Sequence, residues 1–521
     1  MPRVTIRSQQ RARHVYAAVV FLLCFIFLYH SHHASSRQRT YSLVKPAISA
    51  SDGRPVDLEL PDDYSQADIE STYCDDRFGV SYLENLRDLA TEYCTPDSPS
   101  RLTCFHSQTA PDNRIDTFCF ARGAVYSREE RKYLLSCELR DVSANGAPPL
   151  GGFQNYWQST GPGLVMRKAI KLVSPEQHPQ LWATTTTAPE TYTILTKREG
   201  AGNLWHSLME IFSMTMSMDV LQMTPQAAIP APTNEKAEER DQTPFFTPSD
   251  PANTQVTFLD PFEDGPYIDL WHLFAHRTTT RFSSPFTTNP NTSSTPTNLI
   301  IPLSGGSNPF WQGDWQPHPC TSSPLLQTFT TRVLKHHHLD PIHRPRRPKR
   351  LLPPHHPPHT PAPPPPITLT FINRTTTRRL LHAEEYLAAL SASFPREILT
   401  VQSIDFATLP LAEQLAIVRT TDLLVGVHGA GLTHGMFLPA AGGAGIVEIL
   451  PPGLFHKGFR NVAGLLGLAY YSVHGVGTDA RVAGQDWQEA DVFVEPERFA
   501  EVVGVAVRGL FNKGERSWDV V

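Results

Sequence analysis

The chain has 521 residues, of which 40% are hydrophobic and 47 are prolines, and its net charge is −6. This length predicts two folded units with appendages, and the apolar content is sufficient for buried cores. The acidic balance argues against a general nucleic-acid-binding protein. Because the prolines cluster, part of the length is predicted to lie outside the folded cores.

The first distinctive segment is an uncharged apolar run at residues 15–29, VYAAVVFLLCFIFLY, which arginines precede. It is short for a bilayer crossing, which takes roughly 20 residues, but flanking His and Tyr can extend it into the interface. We interpret residues 14–30 as a transmembrane signal-anchor, with a cleaved signal peptide as the alternative. The arginines before the run predict that residues 1–13 are a cytosolic tail. The chain is then a single-pass type II protein of the Golgi or endoplasmic reticulum membrane with a lumenal catalytic region.

Cysteine usage agrees with a lumenal location. Six cysteines lie outside the apolar run: Cys74, Cys94, Cys104, Cys119, Cys137 and Cys320. An even number in an oxidising compartment predicts disulfide bonds, with buried free thiols as the alternative, and the sequence does not define the connectivity. The sequon at Asn291 lies in a polar loop and is a candidate glycosylation site.

Composition divides the remainder of the chain into folded and unfolded parts. A polar stem precedes an N-terminal globular region with low-complexity insertions, and a His/Pro-rich linker separates that region from a C-terminal domain. The ranges are 31–72 for the stem, 73–334 for the N-terminal region, 224–256 and 277–297 for the insertions, 335–366 for the linker and 367–515 for the C-terminal domain. The linker histidines are interpreted as solvated rather than as metal ligands.

The C-terminal domain alternates between strand and helix patterns. Strands are predicted at 367–372, 399–404, 423–427 and 446–450, and helices at 382–393, 411–419 and 455–466. Apolar, β-branched strands that alternate with helices are typical of a parallel sheet covered on both faces, so we predict an α/β, Rossmann-like domain. Ligands of such sheets bind beyond the carboxyl ends of the strands.

A glycine-rich turn follows the third of these strands, in TTDLLVGVHGAGLTHGMFLP at residues 420–439. Its glycines allow backbone N–H groups to approach an anion, and a helix N-terminus after the turn would favour negative charge. His428, Gly429, Ala430 and Gly431 are therefore candidate phosphate-binding residues, while a purely structural corner is the alternative. The role of His434 is open. The spacing differs from the dinucleotide fingerprint G-x-G-x-x-G.

A cationic motif, FINRTTTRR, ends the first strand of the same sheet and contributes Asn373, Arg374, Arg378 and Arg379 to the same edge. The forked guanidinium of arginine suits a diphosphate, although a solvated helix start is the alternative for Arg378 and Arg379. Glu448 lies inside an apolar strand, where a buried acid needs a partner. A ribose or an arginine of the domain would satisfy it.

The N-terminal region contains a helical pattern in GNLWHSLMEIF and a strand that ends in FLDPFEDGPYIDLW. The chain contains no D-x-D motif, which single-domain sugar transferases use to hold a metal ion. Its absence favours a two-domain transferase in which arginines and helix dipoles neutralise the leaving diphosphate.

Together with PLSGGSNPFWQGDW and VEILPP, these motifs resemble glycosyltransferase family 61, in particular its branch of EGF-domain-specific O-linked N-acetylglucosamine transferases. The resemblance spans about residues 120–475. It implies a GT-B arrangement of two Rossmann-like lobes, with residues 73–334 on the acceptor side and 367–515 on the donor side. It also implies inverting transfer from a UDP-sugar to a protein or glycan hydroxyl.

On this basis the donor site comprises Asn373, Arg374, Arg378, Arg379, His428, Gly429, Ala430, Gly431 and Glu448. The catalytic base is expected from the first lobe, where His206 is preferred to Glu210, Asp260 and Asp264. We expect no metal site and no required cofactor besides the donor, and the dependence on a divalent cation is left open. Partners are the UDP-sugar, a glycoprotein or glycan acceptor and the membrane, without nucleic acid.

The sugar is expected to be N-acetylglucosamine, with xylose as the alternative. Because the anchor and the long insertions set this chain apart, its acceptor is not assumed to be an EGF domain. The alternative functions are a nucleotide-binding oxidoreductase, which the absent dinucleotide fingerprint disfavours, and a non-catalytic, membrane-anchored nucleotide-sugar-binding or lectin-like protein of the same fold.

Overall fold

A computed structural model describes residues 43, 58–64, 71–174, 176, 182, 190–226, 243–282, 296–339, 365–439, 443–477, 487–512 and 517–520. The fold described below lies in the compact unit Val44–Val521. The predicted signal-anchor, most of the stem and linker, and the sequon at Asn291 lie outside the described residues. Within the ranges given above, no helix combines the length and apolarity needed to cross a bilayer.

The N-terminal half is built on a mixed sheet, in which nine strands are described. They are β1 (Thr91–Glu92), β2 (Arg101–Ser107), β3 (Asp116–Ser127), β4 (Lys132–Ser136), β5 (Ile170–Val173), β6 (Tyr192–Thr196), β7 (Thr254–Phe258), β8 (Arg277–Arg281) and β9 (Thr297–Ile301). The strand order is β1-β2-β3-β9-β6-β7-β8, with β4 between β3 and β5. The β9-β6-β7-β8 part is parallel, whereas β1, β2, β3 and β9 pair in antiparallel fashion.

Some of the predicted segment boundaries differ from the structure. β8 occupies the start of the segment 277–297, because the β-branched threonines that give it low complexity also favour a strand. The last helix of this half extends to His336, so the first residues of the predicted linker are folded. The described helices of this half are α1 (Thr72–Phe78), α2 (Ser81–Asp88), α3 (Pro162–Ala169), α4 (Leu204–Gln222) and α5 (Pro324–His336).

Helix α4 is almost entirely buried. The Asn203 side chain begins it by accepting hydrogen bonds from the backbone N–H groups of Trp205 (3.0 Å) and His206 (3.4 Å). Its Leu, Met, Ile and Phe side chains point to all sides, and nearly all are buried, as expected for a helix enclosed by protein. Its core is continuous with that of the C-terminal half, which contributes Leu432 and Phe437.

Three disulfide bonds confirm the predicted oxidised cysteines. They are Cys74–Cys320, Cys94–Cys137 and Cys104–Cys119. Cys104 and Cys119 are directly opposed on β2 and β3. The first bridge joins residues 246 positions apart, so it ties the beginning of α1 to the loop before α5.

The C-terminal half contains the predicted parallel sheet. Its strands are β10 (Ile367–Ile372), β11 (Leu399–Ile404), β12 (Leu423–Val427), β13 (Gly445–Leu450), β14 (Ala469–His474) and β15 (Ser517–Val520). Helices α6 (Ala383–Ser393), α7 (Leu411–Arg419), α8 (Gly458–Leu465) and α9 (Pro496–Asn512) connect or cover them. The order β11-β10-β12-β13-β14-β15, with every pair parallel, confirms the predicted α/β class.

Candidate active site

The C-terminal sheet has a topological switch point between β10 and β12. From β10 the chain passes to β11 on one side and then returns to β12 on the other. The loops after these strands therefore diverge and leave a crevice at their carboxyl ends. The two motifs that sequence analysis selected, FINRTTTRR and HGAG, both begin at this crevice.

The glycine turn is shaped around an arginine. Gly429 has a φ of +145°, and a Cβ built on it would lie 2.8 Å from Arg378 Nη1. That nitrogen donates a hydrogen bond to the His428 carbonyl at 3.0 Å. The chain continues as a 3₁₀ helix, Ala430–Phe437, at the position where the sequence predicted a helix start. The turn therefore seats the Arg378 guanidinium beside a helix start, where N–H groups lack partners within the helix.

A cavity of about 690 Å³ opens at this turn and separates the two halves of the molecule. Its C-terminal wall includes Arg378, His428 and Gly429, and its N-terminal wall includes His206 and Trp311. The volume lies within the range of about 300–1,000 Å³ that is usual for small-molecule sites.

His428 is held by a buried carboxylate. Its Nδ1–H donates to Glu448 Oε1 at 2.5 Å, and the Tyr470 hydroxyl donates to Glu448 Oε2 at 2.6 Å. Glu448 is fully buried on β13, between the strands that carry its partners, so the structure does not present it to the cavity as a ribose ligand. Because Nδ1 carries the proton, Nε2 of His428 is left as an acceptor at the cavity wall.

His206 forms a second pair of the same kind on the opposite wall. Its Nδ1–H donates to Glu199 Oε2 at 2.7 Å, and the Glu199 side chain is 1% exposed. The ring packs edge-on against Trp311, with centroids 4.7 Å apart. Within the described part of the chain, Nε2 of His206 has no hydrogen-bond partner, so this nitrogen can accept a proton from a bound molecule.

Sequence analysis missed a third histidine–carboxylate pair, which joins the two walls. His456 Nε2–H donates to Asp314 Oδ2 at 2.9 Å, and His456 Nδ1 accepts from the Gly458 N–H at 3.1 Å. Both ring nitrogens are therefore occupied, which suits a structural role. Asp314 lies in the motif PLSGGSNPFWQGDW, but its distance from His456 in sequence concealed the pairing.

Two of the acids considered as bases lie away from the cavity lining. Glu210 is buried behind the site, where it accepts the Glu199 N–H at 2.6 Å, and burial raises its pKa well above the usual value for a carboxyl. Asp260 is 2% exposed and forms an ion pair with Arg198, with 2.9 Å between Arg198 Nη2 and Oδ1. Both Asp260 oxygens accept hydrogen bonds from Arg198, so this acid stabilises the fold around His206.

The remaining predicted donor residues divide between two places. Asn373 and Arg374 line a smaller cavity of about 250 Å³, which shares Ala430 with the larger one. Gly431 lines the smaller cavity as well, and a Cβ on it would approach Ile372 to 3.0 Å. Arg379 lies outside both cavities and pairs with Asp491 at 2.5 Å.

His434 is a buried turn residue at the edge of the smaller cavity. Its ring nitrogens lie 2.7 Å from the Gly431 carbonyl and 2.7 Å from Gln414 Oε1, and burial lowers its pKa to about 4. These contacts fix the 3₁₀ helix to α7. No cluster of three or more His, Cys, Asp or Glu side chains suited to a metal ion occurs within the ranges that the structure describes.

Comparison with known proteins relates this arrangement to one family. Residues 204–447 match the family model of glycosyltransferase 61. The chain is 26% identical over 395 residues to the EGF domain-specific O-linked N-acetylglucosamine transferase of Drosophila melanogaster, a match that covers 72% of this chain and 64% of that protein. Proteins of the same name from Xenopus laevis and Gallus gallus are 39% and 38% identical over 74 residues, which is 14% of each chain.

The matched domain begins at α4, which carries His206, and ends on β13, next to Glu448. It therefore contains residues of both walls of the cavity, which agrees with the resemblance drawn from the sequence motifs. Residues 204–447 of the chain therefore match glycosyltransferase family 61, the family that the sequence motifs resemble.

Proposed function

We propose that this chain is an inverting glycosyltransferase of GT-B type, which transfers a sugar from a UDP-sugar to a hydroxyl group of a protein or glycan. The observation that carries the proposal is the cavity at the switch point, which His206, His428 and Arg378 line together. The names of the relatives favour N-acetylglucosamine as the sugar, with xylose as the alternative. A type II protein of the Golgi or endoplasmic reticulum membrane remains part of this proposal.

In this mechanism His206 is the general base. Glu199 accepts from Nδ1–H and so holds the ring in the tautomer whose Nε2 can take the proton of an acceptor hydroxyl. The carboxylate also stabilises the imidazolium that forms. The acceptor oxygen then attacks the anomeric carbon from the face opposite UDP, and the bond from that carbon to the phosphate oxygen breaks with inversion.

The departing UDP leaves with negative charge on its terminal phosphate, which the C-terminal wall is suited to bind. Arg378 supplies a guanidinium, and the start of the helix Ala430–Phe437 supplies backbone N–H groups. Asn373 and Arg374 line the adjoining cavity, where they are placed to contact the rest of the nucleotide. Interactions that strengthen as the phosphate gains charge lower the barrier rather than merely tightening substrate binding.

The proposal is tested with the full-length protein in detergent and a panel of UDP-sugars that includes UDP-N-acetylglucosamine and UDP-xylose. UDP release, sugar transfer and the thermal shift caused by UDP are measured, each with and without EDTA. We expect UDP release with at least one donor. The proposal is abandoned if no donor is hydrolysed or transferred and UDP causes no thermal shift.

A matched pair of variants tests the assignment of the diphosphate site. Arg378→Ala removes the guanidinium that lines the cavity, whereas Arg379→Ala removes a neighbouring one that pairs with Asp491 outside it. We expect at least a tenfold loss of UDP affinity only in the first variant, since a charge-assisted hydrogen bond contributes about 1.5–3 kcal/mol. Equal affinities in both variants would place the diphosphate elsewhere.

A second candidate is a non-catalytic nucleotide-sugar-binding or lectin-like protein, which the two histidine–carboxylate pairs disfavour. A protein that only binds nucleotide sugars would not need an imidazole on each wall that a carboxylate orients with its acceptor nitrogen toward the cavity. UDP binding without hydrolysis or transfer for any donor and acceptor would favour this candidate.

A further inference from the structure

The larger cavity is rich in tryptophan. The chain contains 8 tryptophans, and five of them line this one cavity: Trp157, Trp205, Trp311, Trp315 and Trp487. The proposed mechanism uses none of them. Because large aromatic surfaces are usually removed from water, their concentration here calls for a ligand.

Two of these tryptophans are exposed. Trp157 is 67% exposed and Trp315 is 57% exposed, whereas Trp205 is 8% exposed and packs against Phe459. Trp157 and Trp315 come from separate segments of the N-terminal half, yet both line the cavity that contains His206. They therefore offer aromatic surface on the acceptor side of the proposed reaction.

The segment that carries Trp157 is strained. Its neighbours Tyr156, Gln158 and Ser159 have φ values of +53°, +52° and +56°, which non-glycine residues rarely adopt. Such strain persists only where the surrounding structure holds it. Strain of this kind concentrates at ligand-binding sites.

One buried carboxylate holds both tryptophan segments. Asp116 accepts a hydrogen bond from the Tyr156 hydroxyl, next to Trp157 in sequence. It also accepts from Gln312 Nε2 at 2.6 Å, and Gln312 lies three positions before Trp315. Because Asp116 is fully buried, the relative positions of Trp157 and Trp315 are set by the fold.

Polar groups surround the aromatic ones. Asn203, Asp314, His456, Gln488 and Glu489 line the same cavity. The face of an indole ring is electron-rich and attracts polarised C–H bonds, such as those on one face of a pyranose. Carboxylate, imidazole and amide groups bind the hydroxyls at the edge of such a ring. An apolar peptide side chain would use the indoles but would offer no hydrogen bond to the carboxylate and amide groups of this lining.

We propose that Trp157 and Trp315 form an acceptor subsite that binds a saccharide ring, so that the hydroxyl presented to His206 belongs to a glycan. This inference rests on the proposed transferase function, of which it specifies the acceptor class. Trp157 and Trp315 are specificity-determining residues, and Asp116 is a positioning residue.

The test measures binding of β-linked disaccharides of glucose, N-acetylglucosamine, xylose, mannose and galactose to the full-length protein in the presence of UDP. Saturation-transfer NMR detects binding, and titration gives the dissociation constants. We expect at least one disaccharide to bind and to serve as an acceptor. Trp157→Ala and Trp315→Ala should each weaken its binding roughly three- to tenfold, and the corresponding Phe variants should weaken it less.

Tyr73→Ala is the control, because Tyr73 is an aromatic residue with 49% exposure that does not line the cavity. It should leave disaccharide binding unchanged. UDP affinity, measured in every variant, reports that the fold is intact.

UDP binding without binding of any disaccharide would overturn the saccharide assignment and leave the transferase proposal standing. An unglycosylated serine peptide whose KM rises in the tryptophan variants would also overturn it. Tryptophan-dependent disaccharide binding without UDP binding would instead refute the transferase and retain the saccharide site.

Discussion

The contact between Glu448 and His428 allows a sharp test of the site. Glu448→Gln preserves the size of the side chain but removes its charge and one of its acceptor oxygens. The carboxylate accepts from His428 Nδ1 at 2.5 Å and from the Tyr470 hydroxyl at 2.6 Å. An amide accepts at one atom only, and its NH₂ group placed against Nδ1 would drive the imidazole into the other tautomer. Nε2 would then carry a proton and could no longer accept at the cavity wall.

The magnitude follows from the contact that is lost. A hydrogen bond to a charged group contributes about 1.5–3 kcal/mol, which corresponds to roughly 10- to 150-fold in a rate or equilibrium constant. We therefore expect kcat for UDP-sugar turnover to fall by that factor.

The assay measures UDP release against donor concentration from pH 5 to pH 9, together with UDP affinity and thermal stability. Glu385→Gln is the matched control, because Glu385 pairs with His382 at 3.3 Å on the exposed surface and should be neutral. Tyr470→Phe removes only the second donor to Glu448 and should have a smaller effect than Glu448→Gln. A folded Glu448→Gln protein with kcat within threefold of wild type would refute the inference that the Glu448–His428 contact supports turnover.

Three further predictions concern stability and the turn. Gly429→Ala places a Cβ 2.8 Å from Arg378 Nη1 at a residue whose φ is +145°. We therefore expect UDP affinity to fall at least tenfold in isothermal titration, and an unchanged affinity would refute the assigned contact. Asp260→Asn deprives the buried Arg198 of its ion-pair partner and should lower the free energy of unfolding by about 3 kcal/mol in urea titrations. A variant that keeps full stability but loses turnover would instead make Asp260 a candidate catalytic base again. Burial lowers the pKa of His106 from 6.5 to about 3, so on acidification the unfolded state takes up the proton at a higher pH than the folded state. The free energy of unfolding should therefore fall by up to about 2 kcal/mol as the pH drops from 6.5 to 5. In thermal melts at these two pH values, His106→Gln should lose less stability than wild type. An equal loss would show that His106 is not the cause of this pH dependence.

The sequence alone predicted the parallel α/β class of the C-terminal half and its first four strands, but not β14, β15 or α9. Short apolar strands that alternate with amphipathic helices predict a parallel sheet because their periodicity is a local property. The glycine turn and FINRTTTRR could be placed at its ligand edge for the same reason, since the carboxyl ends of parallel strands lie on one side. The motifs also pointed to glycosyltransferase family 61, whose model matches residues 204–447, and the even number of cysteines outside the apolar run predicted disulfides without their pairing.

Only the tertiary structure decided which charged groups meet. Glu448 lies opposite Gly426 on β12 and opposite Ser472 on β14. Since side chains alternate along a strand, residues two positions away on those strands, His428 and Tyr470, share its face and become its partners. Periodicity within β13 shows that Glu448 is buried, but the register between strands determines that it binds an imidazole rather than a ribose.

The same reason explains the acids of the N-terminal half. Thr196 and Phe258 are paired in register on β6 and β7, so Arg198 and Asp260, each two residues beyond, meet at the end of the sheet. His456 and Asp314 meet because the two halves close on one cavity. Local sequence determined the elements and the edge at which chemistry can occur. Strand register and the packing of the two halves decided which histidines are oriented there, because those contacts join residues that are distant along the chain.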